Sequence, residues 1–125
     1  MPNTVVLDLF LGDSGKGKIA DYLATSHDSV VRFNGSNNAG HTLKLQDQVF
    51  KTHAVPSGVL HKHTTNFIAH GCTMDPFVLS KEIDQFEPYN QEIYISGGAH
   101  IILPSHIRLD IEREKKFGIG STKRG

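Results

Sequence analysis

Residues 11–24 read LGDSGKGKIADYLA, and this stretch decides the fold. Glycines at 12, 15 and 17 and lysines at 16 and 18 fall within seven positions. Ile19, Ala20, Leu23 and Ala24 then recur at the spacing of one helical face, which predicts a helix from about Lys16 to Ala24. Upstream, TVVLDLFL (residues 4–11) is β-branched and apolar, as a buried strand is. Asp8 is its misfit and requires a partner. A strand, a glycine-rich loop and a helix in that order open an α/β fold, in which ligands bind beyond the carboxyl ends of the strands. Glycines let backbone N–H groups approach an anion, the helix N-terminus adds its positive dipole end, and the lysines add full charge. A phosphate chain is the ligand that uses all three. Against the phosphate-loop pattern G-x-x-x-x-G-K-[ST], Gly12, Gly17 and Lys18 fit, while Ile19 stands where a magnesium-binding hydroxyl belongs. Asp13 offers a hard oxygen in its place. The plainer alternative is a glycine-rich turn with two solvated lysines.

Working outward, DSVVRF (28–33) reads as a second buried strand and NGSNNAGH (34–41) as a loop. Residues 42–45 and 49–52 read as a hairpin. Residues 53–60 and 66–76 read as loop, strand and loop. Asp75 and Pro76 supply an N-cap and a first-turn proline for a helix to about Phe86, burying Phe77, Leu79, Ile83 and Phe86. EIYIS (92–96) reads as a strand, 100–104 as a short extended piece and 106–118 as a charged amphipathic helix. No repeat, low-complexity tract or linker interrupts this order. Strands alternating with helices predict an α/β fold with a mainly parallel sheet, and residues 1–125 read as one nucleotide-binding domain.

The balance of 13 acidic against 13 basic residues gives no electrostatic case for nucleic acid or an anionic membrane. Cys72 is the only cysteine, so no internal disulfide forms, which fits a reducing cytosol. No apolar run is long enough to span a membrane and no signal sequence opens the chain. A soluble, cytoplasmic protein is therefore expected. The final GIGSTKRG (118–125) has the composition of a working loop leading into another element, so a chain truncated at its C-terminus is also expected.

The second glycine-containing loop, NNAGHT (37–42), holds His41, which could donate to a transferring phosphoryl group or serve only as a loop histidine. Beside Asp13 on a neighbouring loop it becomes half of an acid–base pair. Elsewhere, His61 and His63 lack the further ligands a zinc site needs. His53, His70, His100 and His106 read as local hydrogen-bonding residues, and Cys72 as a small buried one. DIEREKK (110–116) reads as a solvated helix face with pairs such as Glu112–Lys116.

Taken in order, GDSGKGK, VVRFNGSNNAGHT, PSGVL, MDP and GIGSTKRG resemble the N-terminal part of the adenylosuccinate synthetase family over essentially the whole chain. The resemblance implies a GTP-dependent, magnesium-requiring ligase of purine biosynthesis, a cytoplasmic homodimer. Such an enzyme phosphorylates the 6-oxygen of IMP and then lets the L-aspartate amine displace the phosphate. It implies that Asp13 is the base on purine N1 and, with the Gly40 carbonyl, a magnesium ligand, and that His41 is the acid on the GTP phosphates. GTP would be held by Gly12, Asp13, Ser14, Gly15, Lys16, Gly17 and Lys18, and by Gly40, His41 and Thr42. The purine nucleotide would meet Asp13, Ser14, Gly15 and Lys16, then Asn38, Ala39, Gly40 and His41, and finally Thr122 and Arg124.

Departures accompany the match. Asp8, Phe10 and Leu11 stand where the family usually reads glycine, glutamine and tryptophan, Ser14 replaces a glutamate, and Asn34 and Ser36 replace glutamine and glycine. LDLFLGDSGKGK is closer to the phage branch, which takes dGMP toward 2-aminoadenine, although that branch often has a small residue at the position of Asp13. IMP is expected first and dGMP second. The family's guanine-recognition motif and aspartate-binding loop lie beyond this length, so the chain alone is expected not to turn over. A non-catalytic GTP- or phosphate-binding module, or a fragment with no stable fold, is the alternative.

Overall fold

Two valines at 30 and 31, and Phe67 followed by Ile68, seed the sheet at the centre of the molecule. The computed structural model describes residues 2–9, 14–36, 40–45, 48–89 and 91–118, with the side chains at 41 and 43–45 outside the description. In chain order these form α1 (Lys16–Ala24), β1 (Ser29–Arg32), β2 (His41–Leu45), β3 (Gln48–Thr52), β4 (Thr65–Ile68), β5 (Thr73–Met74), α2 (Pro76–Asp84), β6 (Ile93–Ile95), β7 (His100–Ile101) and α3 (Pro104–Phe117). Short 3-10 turns occupy Ser57–Leu60 and Glu87–Tyr89.

The α/β expectation holds. Strands β1, β4 and β6 are parallel, in the order β1-β4-β6, with Val31 beside Phe67 and Phe67 beside Tyr94. Parallel neighbours need a crossover, and α2 supplies it between β4 and β6. Alternation along the strands sends Val30, Asn66 and Ile68 to one face and Val31, Phe67 and Tyr94 to the other. On that second face the Phe67 and Tyr94 rings stack, 5.4 Å between centroids, while Val31 and Tyr94 remain half exposed. The first face carries the core: Ile68 with Ala54, Val55, Val59, Leu60, Cys72, Met74, Leu79 and Phe86. Strands β2 and β3 form the expected hairpin, with His41 opposite Thr52, and β5 pairs in parallel with β7.

The expected strand over 4–11 does not form among residues 2–9, and Val5, Leu7 and Leu9 are 67%, 64% and 98% exposed. Among the described residues β1 is hydrogen-bonded on one edge only, to β4. Between its other edge and residues 2–6 lies a cleft of about 550 Å³, lined by Val5, Val6, Leu23, Val30 and Val55 among others. An apolar run with no ladder within reach has nothing to pay for its ordering.

Helix α2 begins as read. The Asp75 carboxylate accepts from the Phe77 N–H at 2.9 Å and the Val78 N–H at 3.4 Å, and Pro76 occupies the first turn. It ends at Asp84 rather than near Phe86, and its inward side differs from the expectation. Leu79 and Phe86 are buried, but Phe77 is 69% exposed and Ile83 reaches the surface. Phe77 lies about half a turn round from Leu79, on the opposite face. The inward position is taken instead by Glu82, 3% exposed.

Helix α3 starts at Pro104, two positions before the expected start, because Leu103 N–H donates to the His106 ring at 3.2 Å and caps it. Glu112 and Lys116 face solvent with no ion pair between them, while Glu114 on the same run is buried. Among the described residues, no helix is long and apolar enough to cross a membrane.

Candidate functional site

Gly15 supplies the turn into α1. Its φ of 80° lies in the left-handed region, where a side chain would be strained, and its carbonyl accepts from the Lys18 and Ile19 N–H groups at 3.0 and 3.2 Å. Among the described residues no side chain caps this helix, and no acid occupies its first turn. The positive end of α1 is therefore offered outward with two lysines on it. Helix α1 packs against the Ser57–Leu60 turn and alongside β2, the strand that begins at His41.

The expected site residues fall into two groups. Ser14 and Lys18 are exposed, Lys16 is half-buried and Gly17 is buried, all at the start of α1; Gly40 and Thr42 are exposed at the start of β2. Gly12, Asp13, Asn38, Ala39, Thr122 and Arg124, together with the side chain of His41, lie outside the described residues. Lys16 is ion-paired, where the plainer reading of the loop expected a free solvated lysine: its Nζ donates to Asp8 Oδ2 at 2.5 Å. Asp8 thus has the partner its sequence position demanded.

One neighbour of the site was missed. His53, read as a local hydrogen-bonding residue, lies beneath Gly40, where a Cβ would meet its ring at 3.6 Å. The signal was the hairpin register, which sets residue 53 next to residue 40 once His41 faces Thr52. A buried polar clamp holds His53 in place. Glu82 accepts from the backbone N–H groups of His53 at 2.7 Å, Ala54 at 2.9 Å and Val55 at 3.1 Å. On the other side, Arg32 donates from Nη1 to the His53 carbonyl and from Nη2 to the Ser36 carbonyl at 2.8 Å. Gly35, at φ 111°, makes room for this guanidinium, since a Cβ would stand 3.1 Å from Nη2. Burial lowers the Arg32 pKa from its usual value, with Cys72 and Glu82 pulling the other way.

The remaining candidates resolve to structural roles. His61 Nε2 lies 2.8 Å from Asp21 Oδ1, and His63 Nε2 lies 3.1 Å from the Ala24 carbonyl at the end of α1. Among the described residues no group of three or more His, Cys, Asp or Glu side chains could hold a metal. Cys72 is 2% exposed and its Sγ donates to the Arg32 carbonyl at 3.2 Å. Burial pushes its thiol up from the usual value, more than Arg32 pulls it down, so the native protein carries less thiolate than an open chain at any pH near 8. Alkylation of Cys72 at pH 8 is expected to be at least about tenfold slower in the native protein than in urea. Equal rates, read by mass spectrometry over time, would contradict its burial.

A family model described as adenylosuccinate synthetase matches residues 5–125. The adenylosuccinate synthetase of Clostridium perfringens is 45% identical over 129 residues, covering 97% of this chain and 30% of the relative. That of a Hydrogenobaculum species is 46% identical over 127 residues, covering 100% of this chain and 31% of the relative. Among solved structures, the fully ligated adenylosuccinate synthetase from Plasmodium falciparum is similar with a TM-score of 0.80 and 37% identity, over 90% of this chain and 28% of that one. The cyanophage S-2L succinoaminodeoxyadenylate synthetase, bound to dGMP and to dATP as an energy donor, is similar with a TM-score of 0.71 and 25% identity, over 90% and 32%. The chain spans less than a third of the length of each of these proteins.

Proposed function

Because the chain belongs to the adenylosuccinate synthetase family, we propose that it forms the phosphate-handling part of a GTP-dependent ligase that joins L-aspartate to IMP. The observation that carries this reading is the N-terminus of α1, turned by Gly15, bearing Lys16 and Lys18 and without a side-chain cap among the described residues, on a helix that packs alongside β2. In this reading Gly12 to Lys18 cradle the GTP phosphates from one side, while Gly40, His41 and Thr42 approach from the other. Asp13 takes the proton from purine N1, which makes O6 a better nucleophile toward the γ-phosphorus. His41 donates to the oxygens around the transferring phosphoryl group, where preorganised donors matter most. The aspartate amine then attacks C6 and expels phosphate, leaving the N6-succinyl product. Ser14, Asn38, Ala39, Thr122 and Arg124 face the purine nucleotide.

Magnesium suits this donor set, since the Asp13 carboxylate and the Gly40 carbonyl are both hard oxygens. When bound it would neutralise charge on the phosphate oxygens. The enzyme is read as a cytoplasmic homodimer of purine biosynthesis. A second reading replaces IMP by dGMP, favoured by the likeness to the phage synthetase bound to dGMP. IMP ranks first because the likeness to the Plasmodium falciparum enzyme is higher in both identity and TM-score.

A chimera tests this. Residues 1–125 would replace the matching segment of the Clostridium perfringens synthetase, and product would be followed with IMP or dGMP. Turnover with IMP is expected, and Asp13→Ala in the chimera should lower kcat by about a hundredfold or more, far more than it weakens GTP binding. A folded chimera that binds GTP but makes no product, or one indifferent to Asp13→Ala, contradicts the proposal.

A further inference from the structure

The two lysines of the loop are not equivalent. Lys18 is exposed and, among the described residues, in no ion pair, whereas Lys16 is held by Asp8 at 2.5 Å. The Asp8 side chain is only 11% exposed and that of Lys16 40%, so water competes weakly for the acid. Asp8 belongs to a segment with no sheet ladder, fastened to the end of α1 by the Thr4–His27 contact at 3.1 Å and to its start by this ion pair. A carboxylate in that position also places a negative charge beside the positive end of α1, where an anion would bind.

We propose that Asp8 is a charge latch on Lys16, a positioning residue that withholds one of the two loop cations from a polyphosphate until the anion displaces it. The inference rests on the phosphate-loop reading above. It makes Lys18 the cation met first, and makes capture of Lys16 an exchange of one anionic partner for another. That exchange releases the tie between α1 and residues 2–9. Binding is therefore weaker than two free lysines would give.

Asp8→Asn keeps the shape and removes the charge, and two readouts separate the possible results. Acylation of Lys16 relative to Lys18, read by peptide mass spectrometry, reports the latch without any ligand. Titration with inorganic triphosphate and with GTP reports its effect on the site. In Asp8→Asn, Lys16 should label severalfold faster, and triphosphate should bind about tenfold tighter, the worth of one charge-assisted contact. Asp8→Glu should restore both values to near those of the parent. Unchanged labelling, or labelling that rises while triphosphate affinity stays level or falls, overturns the latch. Failure of both the parent and Asp8→Asn to bind triphosphate overturns the phosphate-loop reading itself, and the latch with it.

Discussion

Glu82→Ala is expected to lower stability by about 3–5 kcal/mol, the cost of removing one partner from a buried charged network. The carboxylate is 3% exposed and accepts three consecutive backbone N–H groups, from His53, Ala54 and Val55. Alanine leaves those donors buried without acceptors, at roughly 1–3 kcal/mol each before the backbone relaxes. It also strips Arg32 of the nearby negative charge that favours its ionised form. Glu82→Gln keeps the volume and one acceptor oxygen, so its loss should be about half as large. Urea midpoints for the two variants check this, and a midpoint for Glu82→Ala equal to the parent's would contradict the clamp. The clamp also bears on function. It fixes the backbone at His53, directly under Gly40 and beside the start of β2, so a loosened residue 53 loosens the support of Gly40.

Lys18→Ala should weaken binding of GTP or inorganic triphosphate by about thirtyfold to a hundredfold, as expected for loss of an uncompensated cation facing phosphate. Lys16→Ala should cost less, since Lys16 must first leave Asp8. Lys18→Arg should recover part of the loss, because it keeps the charge but changes the geometry. Calorimetric titration of the three variants at one salt concentration gives the comparison. Equal weakening by both alanine variants would remove the distinction between the lysines.

What could be read from the sequence was local. The α1 periodicity, the Asp75–Pro76 start of α2 and the β2–β3 hairpin are each encoded within a few neighbouring residues, and each stands where it was read, with the two hairpin strands starting one residue earlier. What could not be read depends on groups far apart in the chain. Glu82 looks like a surface acid on a charged helix, yet its partners are backbone N–H groups 27 to 29 positions upstream. Arg32 looks like the polar end of a strand, yet its guanidinium reaches a carbonyl 21 positions away. Residues 4–11 have the composition of a buried strand, but over the described part, residues 4–9, none forms, because a strand exists only where a neighbour completes its ladder and the cleft beside β1 intervenes. Of the candidate site, the glycine-rich turn at Gly15 and the helix it opens were legible because both are encoded within a few neighbouring residues. Asp8 was legible as a residue in need of a partner, but not as the partner of Lys16.

The most direct test of the central claim is phosphorus NMR of magnesium–GTP titrated with the chain. Saturable shifts of the β- and γ-phosphorus resonances, abolished by Lys18→Ala, are the predicted result. Resonances that stay in place, or that move equally with the Lys18→Ala protein, would contradict the claim that this loop holds the phosphates.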